Sequence, residues 1–197
     1  MIIALLTALL SVQPAPQIPQ TPLELVPGAR YDTRVPTLKQ VVGHDLGEDI
    51  STPDEIVTYL KALHAAAPDR TRLIQYGTSW EGRPLYVMIV GSADRLGRLD
   101  AVKAGLSRLA DPRGLSAADG ERLVNDLPVV VWMMHAVHGN EVSSSDAALA
   151  EVYHLLAAQG DARVETILRD AVVLVDPLQN PDGRARFVAS NQQGRSA

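Results

Sequence analysis

The chain has 197 residues, 46% of them hydrophobic and 21% charged, which is enough apolar material for one domain with a core and argues against a wholly disordered chain. Its formal net charge of −5 comes with no basic block, so no nucleic-acid or anionic-membrane surface is expected. There is no cysteine, which excludes disulfides, thiolate metal sites and a cysteine nucleophile, and leaves any metal to histidine and carboxylate.

The opening MIIALLTALLS is too short to span a membrane and matches the apolar core of a secretory signal. No Lys or Arg precedes it and no small-x-small cleavage site follows, so a mis-assigned start and a retained anchor are the alternatives. Residues 1–20 are read as a signal segment with a Pro/Gln-rich start. Residues 21–51, rich in Pro, Gln and Gly and without a sustained period, are read as an extended lead-in. The expected setting is secreted or periplasmic, and no other segment is expected to associate stably with a membrane.

A helix is predicted from STPDEIVTYLKALHAAAP. Thr52 caps it, Pro53 suits its first position, Glu55 completes a capping box, and Ile56, Tyr59, Leu60 and Leu63 share one face. TRLIQYG and RPLYVMIVG read as two strands joined through TSWEGR, where Gly82 suits a hairpin turn. Two excursions, residues 92–112 and 116–127, read as helical or loop. LPVVVWMM lacks alternation and reads as a strand covered on both faces. A helix follows over about 142–158, then a short one around ARVETILRD, then a second continuous apolar strand, AVVLVDP. The remainder, LQNPDGRARFVASNQQGRSA, carries no clear element. Strand, helix, strand in this order predicts parallel pairing within an α/β sheet, with helices on its faces.

Ligands in open α/β sheets bind beyond the carboxyl ends of strands. His135, His138 and Glu141 stand at one such end and NPDGR at the next, so both loops are expected on one rim. A hydrolytic zinc site takes three protein ligands and keeps a position for water, and two histidines with a glutamate is a common set. His138 and Glu141 offer the spacing H-x-x-E, with Gly139 removing a side chain between them. The same spacing also arises by chance. A histidine near a helix start can merely cap, and a glutamate in a first turn suits the helix dipole. Asn-Pro and Asp-Gly are in any case strong turn formers. Trp80 and Trp132 read as packing residues.

HGNE after an apolar strand, DPLQNPDGR after the next, and the earlier GTSWEGRPLYVMIVG together resemble the zinc carboxypeptidase family of the carboxypeptidase A type. The resemblance covers about Thr52 to Arg195. It implies that residues 52–197 are the N-terminal part of a catalytic domain with a mixed sheet and flanking helices. It implies a Zn2+ cofactor, a peptide or protein substrate, and hydrolysis of C-terminal peptide bonds by a metal-activated water. Carried over by position, His138 and Glu141 match the first two zinc ligands, and Asn180, Pro181, Asp182 and Gly183 match a turn that forms the wall of the site. Arg195 lies where the family places an arginine that steadies the oxyanion. That match rests on spacing alone, and a solvated arginine fits it equally. His135 matches no family ligand and is expected to support the site from behind or to pack.

The family's third ligand, a later histidine, has no counterpart, since no histidine follows His154. Nor do its general-base glutamate and its clamp for the substrate carboxylate. The chain is therefore expected to be truncated relative to the family and inactive alone. Two other readings stand beside this one. One is a zinc deacylase resembling aspartoacylase, which shares HGNE but generally lacks the NPDG and EGRP motifs. The other is a non-catalytic peptide-binding remnant.

Overall fold

A computed structural model describes residues 26–195, so the signal segment expected over 1–20 lies outside the described residues. The first regular elements are a two-residue strand, β1 (Arg30–Tyr31), and a short helix, α1 (Leu38–Val42). Thr37 opens α1 with a capping box, and Leu38 and nearby Val35 are buried in the core. The stretch expected to be extended is thus docked, through too few apolar residues to show a period.

Helix α2 (Pro53–Ala66) forms as its sequence predicts. Thr52 Oγ1 accepts from Glu55 N–H at 3.2 Å, and Thr52 N–H donates to Glu55 Oε2 at 2.7 Å. Its stripe of Ile56, Tyr59, Leu60 and Leu63 is almost wholly buried. Strands β2 (Thr71–Thr78) and β3 (Pro84–Val90) pair antiparallel around a turn at Ser79–Arg83, where Gly82 takes φ +86°. A register shift between Gln75 and Gly77 bulges β2 at Tyr76.

Helices α3 (Ala93–Gly97), α4 (Leu99–Ala110) and α5 (Ala117–Asp126) follow, and then strand β4 (Val129–Met134). Helix α6 (Val142–Ala157) ends in a two-residue strand, β5 (Ala158–Gln159), which pairs antiparallel with β1. Helix α7 (Ala162–Asp170) leads into strand β6 (Ala171–Asp176). Beyond it runs a fifteen-residue helix, α8 (Pro181–Arg195), which the sequence pattern did not reveal. Its buried positions are Pro181, Arg184 and Val188, and a charged residue in the middle of that stripe hides the helical period.

The main sheet has the order β2-β3-β6-β4. The β4–β6 pair is parallel, from Val129↔Ala171 to Met134↔Asp176, and the others are antiparallel. One face carries Met88, Val90, Val173 and Val175 and packs against α2 and against Leu149, Val152 and Leu156 of α6. The other face is covered only in part, where Leu96 and Leu99 meet Ile89, Val172 and Leu174.

Two-sided burial holds for β6 but not for β4. Among the described residues strand β4 is an edge of the sheet, and Val130, Trp132 and Met134 are 41%, 57% and 60% exposed. An apolar run does not tell a central strand from an edge strand, which is why the expectation failed. The packing role expected of the two tryptophans fails as well. Trp132 lies on this open edge, and Trp80 stands at the hairpin tip, 99% exposed.

Candidate functional site

The parallel ladder of β4 and β6 continues past both strands and ties their loops together. His135 N–H donates to Asp176 O at 2.9 Å, Gln179 N–H to His135 O at 3.1 Å, and Asn180 N–H to Ala136 O at 3.1 Å. The Asn180 side chain works in two directions. Its Nδ2 donates to Val137 O at 3.2 Å, and its Oδ1 accepts from Gly183 N–H at 2.8 Å, capping α8. NPDG is therefore the start of a helix, with Pro181 at its first position, rather than a free-standing turn.

Gly139 meets that helix start directly. A Cβ built on it would lie 2.1 Å from both Arg184 N and Gly183 C. Its role is close approach of two backbones, not unusual torsion. A Cβ on Gly183 would lie 2.8 Å from Asn180 Nδ2, so that glycine makes room for the cap. Ala136, buried beside them, takes φ +52°, a strained conformation for a residue with a side chain.

On this support stand His138 and Glu141, both exposed. Glu141 N–H donates to His138 O at 3.2 Å, closing a turn between them. Glu141 immediately precedes α6 but makes no side-chain cap. Among the described residues neither the imidazole nor the carboxylate has a hydrogen-bond or ion-pair partner, so both remain available as donors to a metal. They are the right chemistry for zinc but only two donors. Among the described residues no group of three or more His, Asp or Glu side chains is arranged to hold a metal ion.

Among the described residues His135 does not complete a metal-holding group with the pair. Its Nε2 is buried, 3.6 Å from Glu151 Oε2 on α6, and without a hydrogen bond. Burial lowers its pKa against the pull of Asp176, which favours the neutral ring, and burial raises the pKa of Glu151. Asp176, 1% exposed, accepts from Tyr76 OH at 2.7 Å. Burial raises its carboxyl too, opposed by that hydrogen bond. Tyr76 sits at the bulge of β2, which marks how a distant strand reaches this end of the sheet.

Arg195 is not brought to the pair. It ends α8, pairs with Asp49 at 2.9 Å and is half exposed. At 1.5 Å of rise per residue it stands about 21 Å along the helix from Pro181. The arginine that does reach the loop is Arg184, wholly buried, and spacing gave no signal for it.

The early hairpin grips the same helix start. Asp182 Oδ1 accepts from Ser79 Oγ at 2.7 Å and Arg83 Nη1 at 2.8 Å, and Oδ2 accepts from Glu81 N–H at 3.1 Å. Arg186 of α8 pairs with Glu81 in return. Burial pushes the Asp182 carboxyl up, but the hydrogen bonds from Ser79, Arg83 and Glu81 outweigh it and hold it below its ordinary value. A depressed folded pKa means that Asp182 stabilises the fold above the unfolded value of about 4 and loses that effect as pH falls through the folded value. Asp182→Asn is therefore expected to lower the urea midpoint at pH 7. The gap from the parent should close as pH falls below about 4. A gap that is constant from pH 7 to pH 3 would show that the charge contributes nothing.

A cleft of about 510 Å3 lies against α6, lined by Leu46, Ser143, Asp146, Ala147 and His154 among others, and neither His138 nor Glu141 borders it. Among the described residues no helix is long and apolar enough to cross a membrane.

A family model described as zinc carboxypeptidase matches residues 56–196. Among solved structures the chain is similar to the carboxypeptidase A from Helicoverpa armigera, with a TM-score of 0.50 and 20% identity over 70% of this chain and 26% of that one. It is also similar to thrombin activatable fibrinolysis inhibitor, with a TM-score of 0.49 and 16% identity over 78% of this chain and 29% of that one. The chain thus spans less than a third of the length of either. No curated protein gave a match.

Proposed function

Because the chain belongs to the zinc carboxypeptidase family, we propose that His138 and Glu141 are two of the protein ligands of a zinc ion in a peptidase centre that hydrolyses the C-terminal peptide bond of a peptide or protein substrate. The observation that carries this reading is the placement of an imidazole and a carboxylate, without partners among the described residues, on one exposed loop at the carboxyl end of β4, fixed from below by the start of α8. Zinc held there would supply a water made nucleophilic near neutral pH. His138 would give a neutral ring nitrogen and Glu141 a carboxylate oxygen. Asn180 would hold the backbone between β4 and His138 through Val137 O. Asp182 and Gly183 would keep the wall of the site in place, the first by gripping the hairpin and the second by admitting the Asn180 cap. A secreted or periplasmic setting suits such an enzyme.

Two donors are expected to bind zinc weakly and to leave its water poorly placed, so the 197-residue chain alone is expected to show no turnover. Zinc titration followed at the ring resonances of His138 should move them in the parent, and Glu141→Ala should weaken the binding tenfold or more. Ring resonances that stay still would sink the metal reading. Chelator-sensitive release of a C-terminal amino acid from an acyl-tripeptide by this chain would show that the ligand set is larger than these two.

A further inference from the structure

Arg184 is wholly buried, although no step of the proposed chemistry uses it. Its guanidinium joins three places in the chain. Nε donates to Ser51 O at 2.9 Å, just ahead of α2. Nη1 donates to Val142 O at 3.0 Å and, at the limit of hydrogen-bond reach, to Glu141 O at 3.5 Å. Nη2 lies 3.3 Å from Asp146 Oδ1. We propose that Arg184 is a positioning residue that fixes the Glu141–Val142 backbone, and through it the direction of the Glu141 carboxylate beside His138; this rests on the metal-ligand reading of that pair.

Three features support it. Glu141 does not use its side chain to cap α6, so its backbone needs another anchor, and the fork of Arg184 supplies one from the neighbouring helix start. A guanidinium presents several donors in fixed directions and can serve carbonyls of different elements at once, which a lysine head cannot. A buried ion pair is a poor source of stability, since an apolar pair of the same volume often does as well or better. A role confined to packing would therefore not require the Arg184–Asp146 pair, whereas a role in orienting carbonyls does require the guanidinium.

The deciding experiment compares backbone order in the metal-free parent and in the double variant Arg184→Met/Asp146→Leu, by nitrogen-15 relaxation. Removing both charges leaves no uncompensated carboxylate, so the fold should survive. Order parameters at residues 138–142 should fall from about 0.85 to below about 0.6, while β6 and the rest of α6 stay rigid. Parent-like order at 138–142 would overturn the proposal. If the double variant does not fold, Arg184→Lys decides in its place. It keeps a charge opposite Asp146 without the fork, the same local loosening is expected, and unchanged order again overturns the idea. Zinc titrated into Arg184→Lys and followed at the His138 ring should bind at least tenfold more weakly than in the parent, and equal affinity also counts against a positioning role. An unmoved His138 ring in the parent overturns the metal reading itself, a result separate from either outcome of the relaxation experiment.

Discussion

Gly139→Ala is expected to undock the start of α8 from the β4–α6 loop, at a cost of about 3 kcal/mol or more. The added methyl would stand 2.1 Å from Arg184 N and Gly183 C. Both are backbone atoms, so no side chain can swing away. Relief requires α8 to retreat, and retreat strains the contacts that start there: the Asn180 bond to Val137 O, the bonds of buried Arg184, and the grip of Asp182 on the hairpin. Gly194→Ala is the matched control. It lies in the same helix with nothing within 4 Å of its would-be Cβ, and it should be neutral or stabilising by up to about 1 kcal/mol. Urea midpoints of the two variants and the parent make the comparison. A Gly139→Ala protein with the parent's midpoint would mean that the close approach is not needed for folding.

The same contacts explain what the sequence could and could not tell. The family resemblance rested on three separated motifs: EGRP, read as a hairpin turn, HGNE, read as metal ligands, and NPDGR, read as the wall of the site. In space they meet at one point, the first turn of α8, where Gly139, Gly183, Glu81 and Asp182 serve the junction. Gly139 admits the helix, Gly183 admits its cap, and Asp182 receives the hairpin. Their order and spacing were legible because the junction needs those residue types. Helix α2 was legible because its capping box and apolar stripe are local. Helix α8 was not, because its inward stripe contains Arg184, whose burial depends on carbonyls of Ser51 and Val142 far away in sequence. Strand β4 was legible as a strand but not as an edge, since its apolar run records no neighbours. Arg195 shows the limit of spacing as an argument. It falls at the expected distance from Asn180, yet a continuous helix carries it to Asp49.

The open edge of β4 leads to the other large effect, on association. Val129, Val130, Trp132 and Met134 are between 41% and 64% exposed on a strand whose outer backbone edge has no partner strand among the described residues. It carries none of the devices that keep edges apart: no charge, no proline and no bulge against β6. The adjoining face of the sheet, covered only where Leu96 and Leu99 reach it, adds Ile74 and Tyr76 at 43% and 47% exposure. The 197-residue chain is therefore expected to self-associate as its concentration rises through the micromolar range. Lysines at Val130 and Trp132 put charge on the edge without emptying the core, because both side chains already face solvent. The double substitution Val130→Lys/Trp132→Lys should keep the parent's thermal midpoint to within a few degrees. Its sedimentation coefficient should stay at the monomer value over a concentration range in which the parent's rises. The paired substitution Leu106→Lys/Val124→Lys, at exposed positions on α4 and α5, controls for added charge in general. If that control suppresses association as well as the edge lysines do, net charge and not the β4 edge governs how copies of this chain meet.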